Sequence, residues 1–158
     1  MTTNQPSGSY ELTVLLGLSF SAITDDLHRQ LAKKGFDDVR PVHGFLFQRI
    51  AVKGATGNEI AEHLGVTKQA ASQMIEYLEQ HDYIERKPHP LDGRGKLVTL
   101  TERGWSCIRN TEEIFISIEQ RYAAIVGEER MNMLKADLRR LVHTISDDSN
   151  PLRLRPVW

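Results

Sequence analysis

Apolar residues recur at three- and four-residue steps from Tyr10 to about Lys34. Leu12, Leu16, Phe20, Ile23, Leu27 and Leu31 fall on one face of a helix. No charge lies between Leu12 and Ala22, so more than one face of this helix is expected to be covered. Gly35 stops it. Pro41 opens a second helix, where its missing N–H leaves nothing unpaired. That helix carries Phe45, Leu46, Ile50 and Val52, and Gly54 ends it. Thr56-Gly57-Asn58-Glu59 has the spacing of a reciprocal N-terminal cap, with a short helix following through Leu64. Gly65 permits a left-handed turn, and Thr67 caps a further helix running to about Gln80.

There the period changes. Tyr83-Ile84-Glu85-Arg86 and Lys96-Leu97-Val98-Thr99-Leu100 read as two strands. The segment from Pro88 to Gly95 holds two prolines and two glycines and connects them. Thr101 caps a long helix from Glu102 to about Val126, with Ile108, Phe115, Ile118, Tyr122 and Ile125 apolar. Gly127 breaks it. A last helix aligns Met131, Leu134, Leu138, Leu141 and Ile145 on one stripe. The expected organisation is a loose arm over 1–9, a dimerisation helix over 10–35, a compact lobe over 36–101, two more dimerisation helices over 102–150, and an extended tail over 151–158. The fold class is mainly α, with N- and C-terminal dimerisation helices around a two-stranded β-wing.

Glu59 to Leu78 is the informative stretch. Ala61 allows close helix packing, Gly65 makes the turn, and Val66, Ala71, Ile75 and Leu78 fill the space between: a helix-turn-helix. At ~100° per residue, Ala71, Ile75, Leu78 and Met74 share the inward face of the second helix. Gln69, Ser72, Gln73 and Glu76 face outward. That face is mostly uncharged hydrogen-bonding groups, the kind that read base edges in the major groove. Thr67, Lys68, Gln69, Ser72 and Gln73 are therefore the candidate base- and phosphate-contacting residues. In the wing, Lys87, Arg94 and Lys96 are the candidate DNA contacts, with Arg94 at the tip suited to a narrow, negative minor groove. Asp92, two residues earlier, is expected to orient the Arg94 guanidinium.

Composition narrows this picture without changing it. The net charge of −1 over 158 residues does not itself point to nucleic acid. Phosphate binding needs only local positive charge, and between Arg86 and Lys96 four cations face one anion. The single cysteine, Cys107, excludes an internal disulfide framework and suits a reducing cytoplasm. No apolar run is long enough to span a bilayer, and Met1 to Ser9 lacks a basic leader pattern. The six histidines have no metal-ligand spacing, no Gly-rich phosphate loop is present, and no nucleophile–base constellation is visible. Neither metal, nor cofactor, nor enzymatic activity is expected. The apolar stripes of the first, fifth and sixth helices exceed what a small lobe covers, which points to a second subunit.

Gly57 to Ser72, then Tyr83-Ile84-Glu85-Arg86, Asp92-Gly93-Arg94 and Leu100-Thr101-Glu102-Arg103-Gly104, resemble in order the helix-turn-helix, strand, wing and following helix start of MarR-type regulators. The resemblance covers roughly Pro41 to Ile125. It implies a homodimeric transcriptional regulator on palindromic double-stranded DNA, a repressor relieved by a small phenolic or lipophilic ligand. It also implies an apolar pocket between the dimerisation helices and the lobe, where Phe20, His28, Phe45, Phe47 and Trp105 converge. The family's redox branch carries its cysteine in the first helix, where this chain has none, so Cys107 reads as a buried, inert thiol. The competing reading is a winged-helix adaptor that binds protein and not DNA, toward which Glu76 and Glu79 lean.

Overall fold

The computed structural model describes residues 10–146; the expected arm and tail, 1–9 and 151–158, lie outside them. The order is α1 (Glu11–Lys33), α2 (Pro41–Ile50), α3 (Gly57–Leu64), α4 (Lys68–Gln80), β1 (Ile84–Pro88), β2 (Lys96–Leu100), α5 (Glu102–Val126) and α6 (Glu128–Ile145). The strands pair antiparallel from Ile84↔Leu100 to Pro88↔Lys96. β1 thus starts one residue later and extends two further than its sequence pattern implies. Tyr83 is drawn fully into the core instead of joining the ladder. Pro88 fits the strand end because an open edge requires no N–H from it. A bridge between Ala55 and Val98 ties the segment before α3 to the wing, through bonds of 3.1 and 2.8 Å.

The helix starts follow local chemistry. Thr56 Oγ1 accepts from the Glu59 N–H at 3.3 Å, and Glu59 Oε2 accepts from the Thr56 N–H at 2.8 Å. The backbone and hydroxyl bonds from Thr56 hold the Glu59 carboxyl below its usual range. Thr67 Oγ1 accepts from the Ala70 N–H at 3.1 Å, and Thr101 Oγ1 from the Gly104 N–H at 3.1 Å. Gly65 ends α3 in the left-handed region at φ 68°, which a side chain would disfavour. Leu46, Ile60, Leu64, Ala71, Ile75, Leu78, Ile84 and Val98 are buried together and seat α4 against α3 and the wing. Each fully buried large apolar side chain of this set contributes roughly 1.5–3 kcal/mol.

A polar hub locks the lobe to the long helices. The Tyr83 hydroxyl donates to Asp38 Oδ1, and the Tyr77 hydroxyl donates to the Asp38 carbonyl at 2.8 Å. Arg103 Nη2 donates to the Tyr83 hydroxyl at 3.0 Å and to the Gly35 carbonyl at 3.2 Å. Its guanidinium lies 4.6 Å from the Tyr83 ring centre and 5.4 Å from that of Phe36. One arginine therefore joins the α1–α2 connection, the start of the wing and the start of α5. Beside it, His43 is buried and its Nδ1 accepts the Arg40 N–H at 3.0 Å. Burial, helped by the Arg40 charge, lowers its pKa to about 4, so it is neutral at physiological pH.

Outside the lobe the packing is one-sided. α1 buries Leu27 and Leu31 but leaves Leu12, Leu15, Leu16, Leu18 and Phe20 exposed, Leu18 to 63%. α6 buries none of its residues, and Leu134, Leu141, Val142 and Ile145 are exposed. Ion pairs from Arg121 to Asp26 and from Lys135 to Glu119 (2.5 Å) link α5 to α1 and to α6. Among the described residues no helix is long and apolar enough to cross a membrane.

Candidate nucleic-acid interface and adjoining cavity

α4 presents the face that its helical phase dictates. Ala71, Ile75 and Leu78 are buried, while Lys68, Gln69, Ser72, Gln73 and Glu76 are exposed, as is Thr67 at the cap. Both glutamines are exposed, and among the described residues neither amide is in a side-chain hydrogen bond, so their donors and acceptors remain available on a capped helix. The Thr67 oxygen already serves the helix start, which leaves its hydroxyl proton for an external acceptor.

The wing stands beside this face. A shallow groove is lined by Gly57, Ser72, Arg86 and Lys96, so one uncharged and two cationic groups from three elements meet there. Lys87, Arg94 and Lys96 are all exposed. Lys87 is 2.8 Å from Glu85, and Arg86 is 3.4 Å from Glu79. Exposed pairs of this kind are weak and are readily exchanged for phosphate. Among the described residues neither Arg94 nor Lys96 is in an ion pair. Arg86 was not singled out in the sequence; its place across the groove from Ser72 emerges only when the hairpin folds back on α4.

The role expected of Asp92 needs correction. Asp92 Oδ1 accepts the backbone N–H of Arg94 at 3.0 Å, not the guanidinium. A carboxylate two residues before an amide closes an Asx turn, and this short-range bond wins over a pairing that would fix a long, solvated side chain. Asp92 shapes the main chain of the wing and leaves the Arg94 guanidinium uncommitted.

A cavity of about 170 Å³ lies where α1, the start of α2 and α5 meet. Phe20, Thr24, His28, Phe45, Phe47 and Gln48 line it from α1 and α2, and Cys107, Thr111 and Phe115 from α5. Four of the five expected pocket residues, Phe20, His28, Phe45 and Phe47, are thus brought together. Trp105 is not. Cys107, Thr111 and Phe115 follow one another at four-residue steps on the cavity side of α5. Trp105 sits ~200° around the helix from Cys107 and is 39% exposed on the other side. The Thr111 hydroxyl donates to the Cys107 carbonyl at 2.9 Å and the Thr24 hydroxyl to the Phe20 carbonyl at 2.8 Å, so neither is a strong external donor. Cys107 is buried, and burial pushes its thiol up to about 11, which favours the protonated form.

His28 differs from the other polar groups in this wall. Both its ring nitrogens are hidden from solvent and have no hydrogen-bond partner among the described residues. Burial lowers its pKa against the opposing pull of Asp25, which favours the neutral ring. No group of three or more His, Cys, Asp or Glu among the described residues could hold a metal ion.

A two-helix reading unit followed by a two-stranded wing, framed by long helices, defines the winged helix-turn-helix class of protein. Residues 40–95 match the family model described as MarR family. The whole described chain has the fold of solved regulators of that type. MepR of Staphylococcus aureus, a regulator of the multidrug efflux pump MepA, is 22% identical with a TM-score of 0.68, covering 85% of this chain and 98% of its own. MarR of E. coli is 22% identical with a TM-score of 0.67, covering 83% and 96%. A MepR variant bound to an oligodeoxyribonucleotide is 22% identical with a TM-score of 0.62, covering 87% and 100%. No curated protein matches the sequence.

Proposed function

We propose that the protein is a homodimeric, sequence-specific transcriptional regulator of the cytoplasm that binds a palindromic operator. The observation that carries this reading is the exposed, mostly uncharged hydrogen-bonding face of α4 standing beside Arg94 and Lys96, neither of which is in an ion pair among the described residues. A helix of this kind inserts in the major groove while a wing follows the backbone and minor groove. The MepR variant solved on an oligodeoxyribonucleotide supports it at the level of fold.

Selection of bound duplexes from a random DNA pool tests it, and recovery of no preferred sequence would favour the protein-binding adaptor instead. On the selected duplex, Gln73→Ala relaxes base preference at one position per half-site and costs roughly 1–3 kcal/mol. Lys96→Ala weakens all sequences alike and flattens the salt dependence by about one unit. Equal loss on specific and random DNA for Gln73→Ala would remove that residue from the base-reading set.

A second part of the proposal is relief of repression by a small phenolic or lipophilic molecule in the α1–α2–α5 cavity. Its aromatic walls and the unpartnered His28 support it, because a buried ring nitrogen left without a partner costs on the order of 1–3 kcal/mol. Salicylate is the first probe. At a hundred times its dissociation constant a ligand stabilises the protein by about 2.7 kcal/mol, a rise visible in a thermal melt. It also weakens DNA binding by the ratio of its affinities for the two states. His28→Leu fills the polar gap and removes both effects. Salicylate that stabilises the protein yet leaves DNA affinity unchanged would count against induction by that compound.

A further inference from the structure

The wing tip, residues 89–95, builds its shape from its own hydrogen bonds. His89 N–H donates to the Gly95 carbonyl at 3.0 Å and closes the base of the loop. The Gly95 N–H donates to the Asp92 carbonyl at 3.0 Å. His89 Nδ1 accepts two backbone donors, the N–H of Leu91 and that of Asp92, each at 3.2 Å. Asp92 Oδ1 then accepts the Arg94 N–H at 3.0 Å. From Pro90 to Arg94 every residue is exposed, Leu91 to 92%. Packing from the rest of the protein therefore does little to hold the tip.

We infer that His89 is a positioning residue of the wing, acting on DNA through Arg94. This rests on the regulatory reading above. Two amide protons pointing at Nδ1 require its lone pair, so the cap uses the tautomer with its ring proton on Nε2. In that state His89 fixes the Leu91 and Asp92 amides. The fixed Asp92 carries the carboxylate that holds the Arg94 amide. The order His89, Asp92, Arg94 is a relay of main-chain positions that ends at the one unpaired cation of the tip among its described residues. A loop already held in its bound shape loses less freedom on binding, so the cap appears as affinity although His89 needs no contact with a base. Gly95 belongs to the same device. A Cβ there would lie 3.3 Å from His89 Cβ, tighter than ordinary contact, so a side chain at this position would press on the base of the His89 side chain. Pro88 and Pro90 on either side of His89 limit its main chain further.

The test uses the full chain and the tightest duplex recovered from the random pool. His89→Leu keeps size but has no acceptor. It is expected to lower affinity about fivefold, the size of effect seen when a capping acceptor is lost. His89→Asn restores affinity to within about twofold, because an Asn oxygen accepts the amide two residues on. In an Arg94→Ala background, His89→Leu changes affinity by less than about twofold, since the relay then has no end to position. Thermal melts of all variants should coincide, as the tip is exposed. Nitrogen NMR of the wild-type imidazole should show a bare Nδ1 and a protonated Nε2, and the Leu91 and Asp92 amides should exchange faster in His89→Leu. Losses that multiply independently in the double variant, or no loss with His89→Leu on a duplex sensitive to Arg94→Ala, overturn the positioning role alone. A protonated Nδ1 overturns the cap itself. A wild-type protein with the expected ring state that binds no duplex removes the regulatory reading, and the role with it.

Discussion

The chain carrying Leu138→Glu and Leu141→Glu is expected to sediment as a monomer and to lose its DNA site at the same time. The expectation starts from α6, which is amphipathic over Glu128–Ile145 yet buries no residue against its own chain. A helix in water gains most of its stability from packing an apolar face, not from intrinsic propensity. Leu134, Leu141, Val142 and Ile145 have no such face to meet here. The other half of the open surface is α1, where Leu12, Leu15, Leu16, Leu18 and Phe20 are exposed, and α5 adds Phe115 and Ile116. Exposed apolar residues on three helices are what the proposed second subunit would cover, a two-fold copy meeting them with the same elements. Glutamates at 138 and 141 would place four carboxylates in that contact per dimer. DNA affinity falls with dimerisation because two linked lobes bind about 10²–10⁴ times better than one. Analytical ultracentrifugation at micromolar concentration and a mobility shift on the same samples read both outcomes. A monomeric wild-type protein would sink the dimer, and a monomeric variant that still binds fully would sink its connection to DNA.

The second large effect is expected at Gly104. This residue lies in the first turn of α5, where the helix start presses on the beginning of the wing. A Cβ there would sit 2.3 Å from the Tyr83 carbonyl oxygen and 2.7 Å from Leu100 Cδ2. Both neighbours are held. The Tyr83 carbonyl accepts the Thr101 N–H at 3.1 Å, and Leu100 is buried at the end of β2. Relief would require α5 to lift, which loosens the Thr101 cap and draws Arg103 away from Tyr83. Gly104→Ala is expected to cost about 2–3 kcal/mol, the upper part of the range for overpacking a tight site. For a chain of this size that lowers the melting temperature by roughly 6–10 °C. Gly44→Ala is the matched control. Gly44 also lies within a helix, but a Cβ there meets nothing within 4 Å, so the change is expected to be neutral or slightly stabilising. Equal melts for the two variants would show that α5 does not need this close approach. In Leu100-Thr101-Glu102-Arg103-Gly104 the strand end, the cap and the clearance are therefore one packing problem.

The cavity and the wing divide along the same physical line as these two predictions. Caps at Thr56, Thr67 and Thr101, the turn at Gly65, and the inward and outward faces of α4 were legible in the sequence. Each depends on residues at most a few positions apart, whose relative placement helix geometry already sets. The candidate DNA-facing residues Gln69, Ser72 and Gln73 followed from that phase alone. The open stripes of α1 and α6 were legible too, because a surplus of apolar positions is visible without knowing what covers it.

Only the tertiary structure decided which face of α5 meets α1. That choice selects Cys107, Thr111 and Phe115 for the cavity and turns Trp105 away from it, and no periodicity within α5 settles it. It also decided that Asp38, Tyr83 and Arg103, far apart in the chain, form one hub. Their meeting depends on how the α1–α2 connection crosses the start of α5. Arg86 reached the groove beside Ser72 by the fold of the hairpin onto α4. In the wing, the composition marked a turn, but competition among nearby acceptors chose the bonds. His89 Nδ1 took two amides and Asp92 took the Arg94 amide, leaving the guanidinium open. Local chemistry is written in the sequence because its distances are fixed by the covalent chain; contacts between elements are not, because they follow from how whole faces pack.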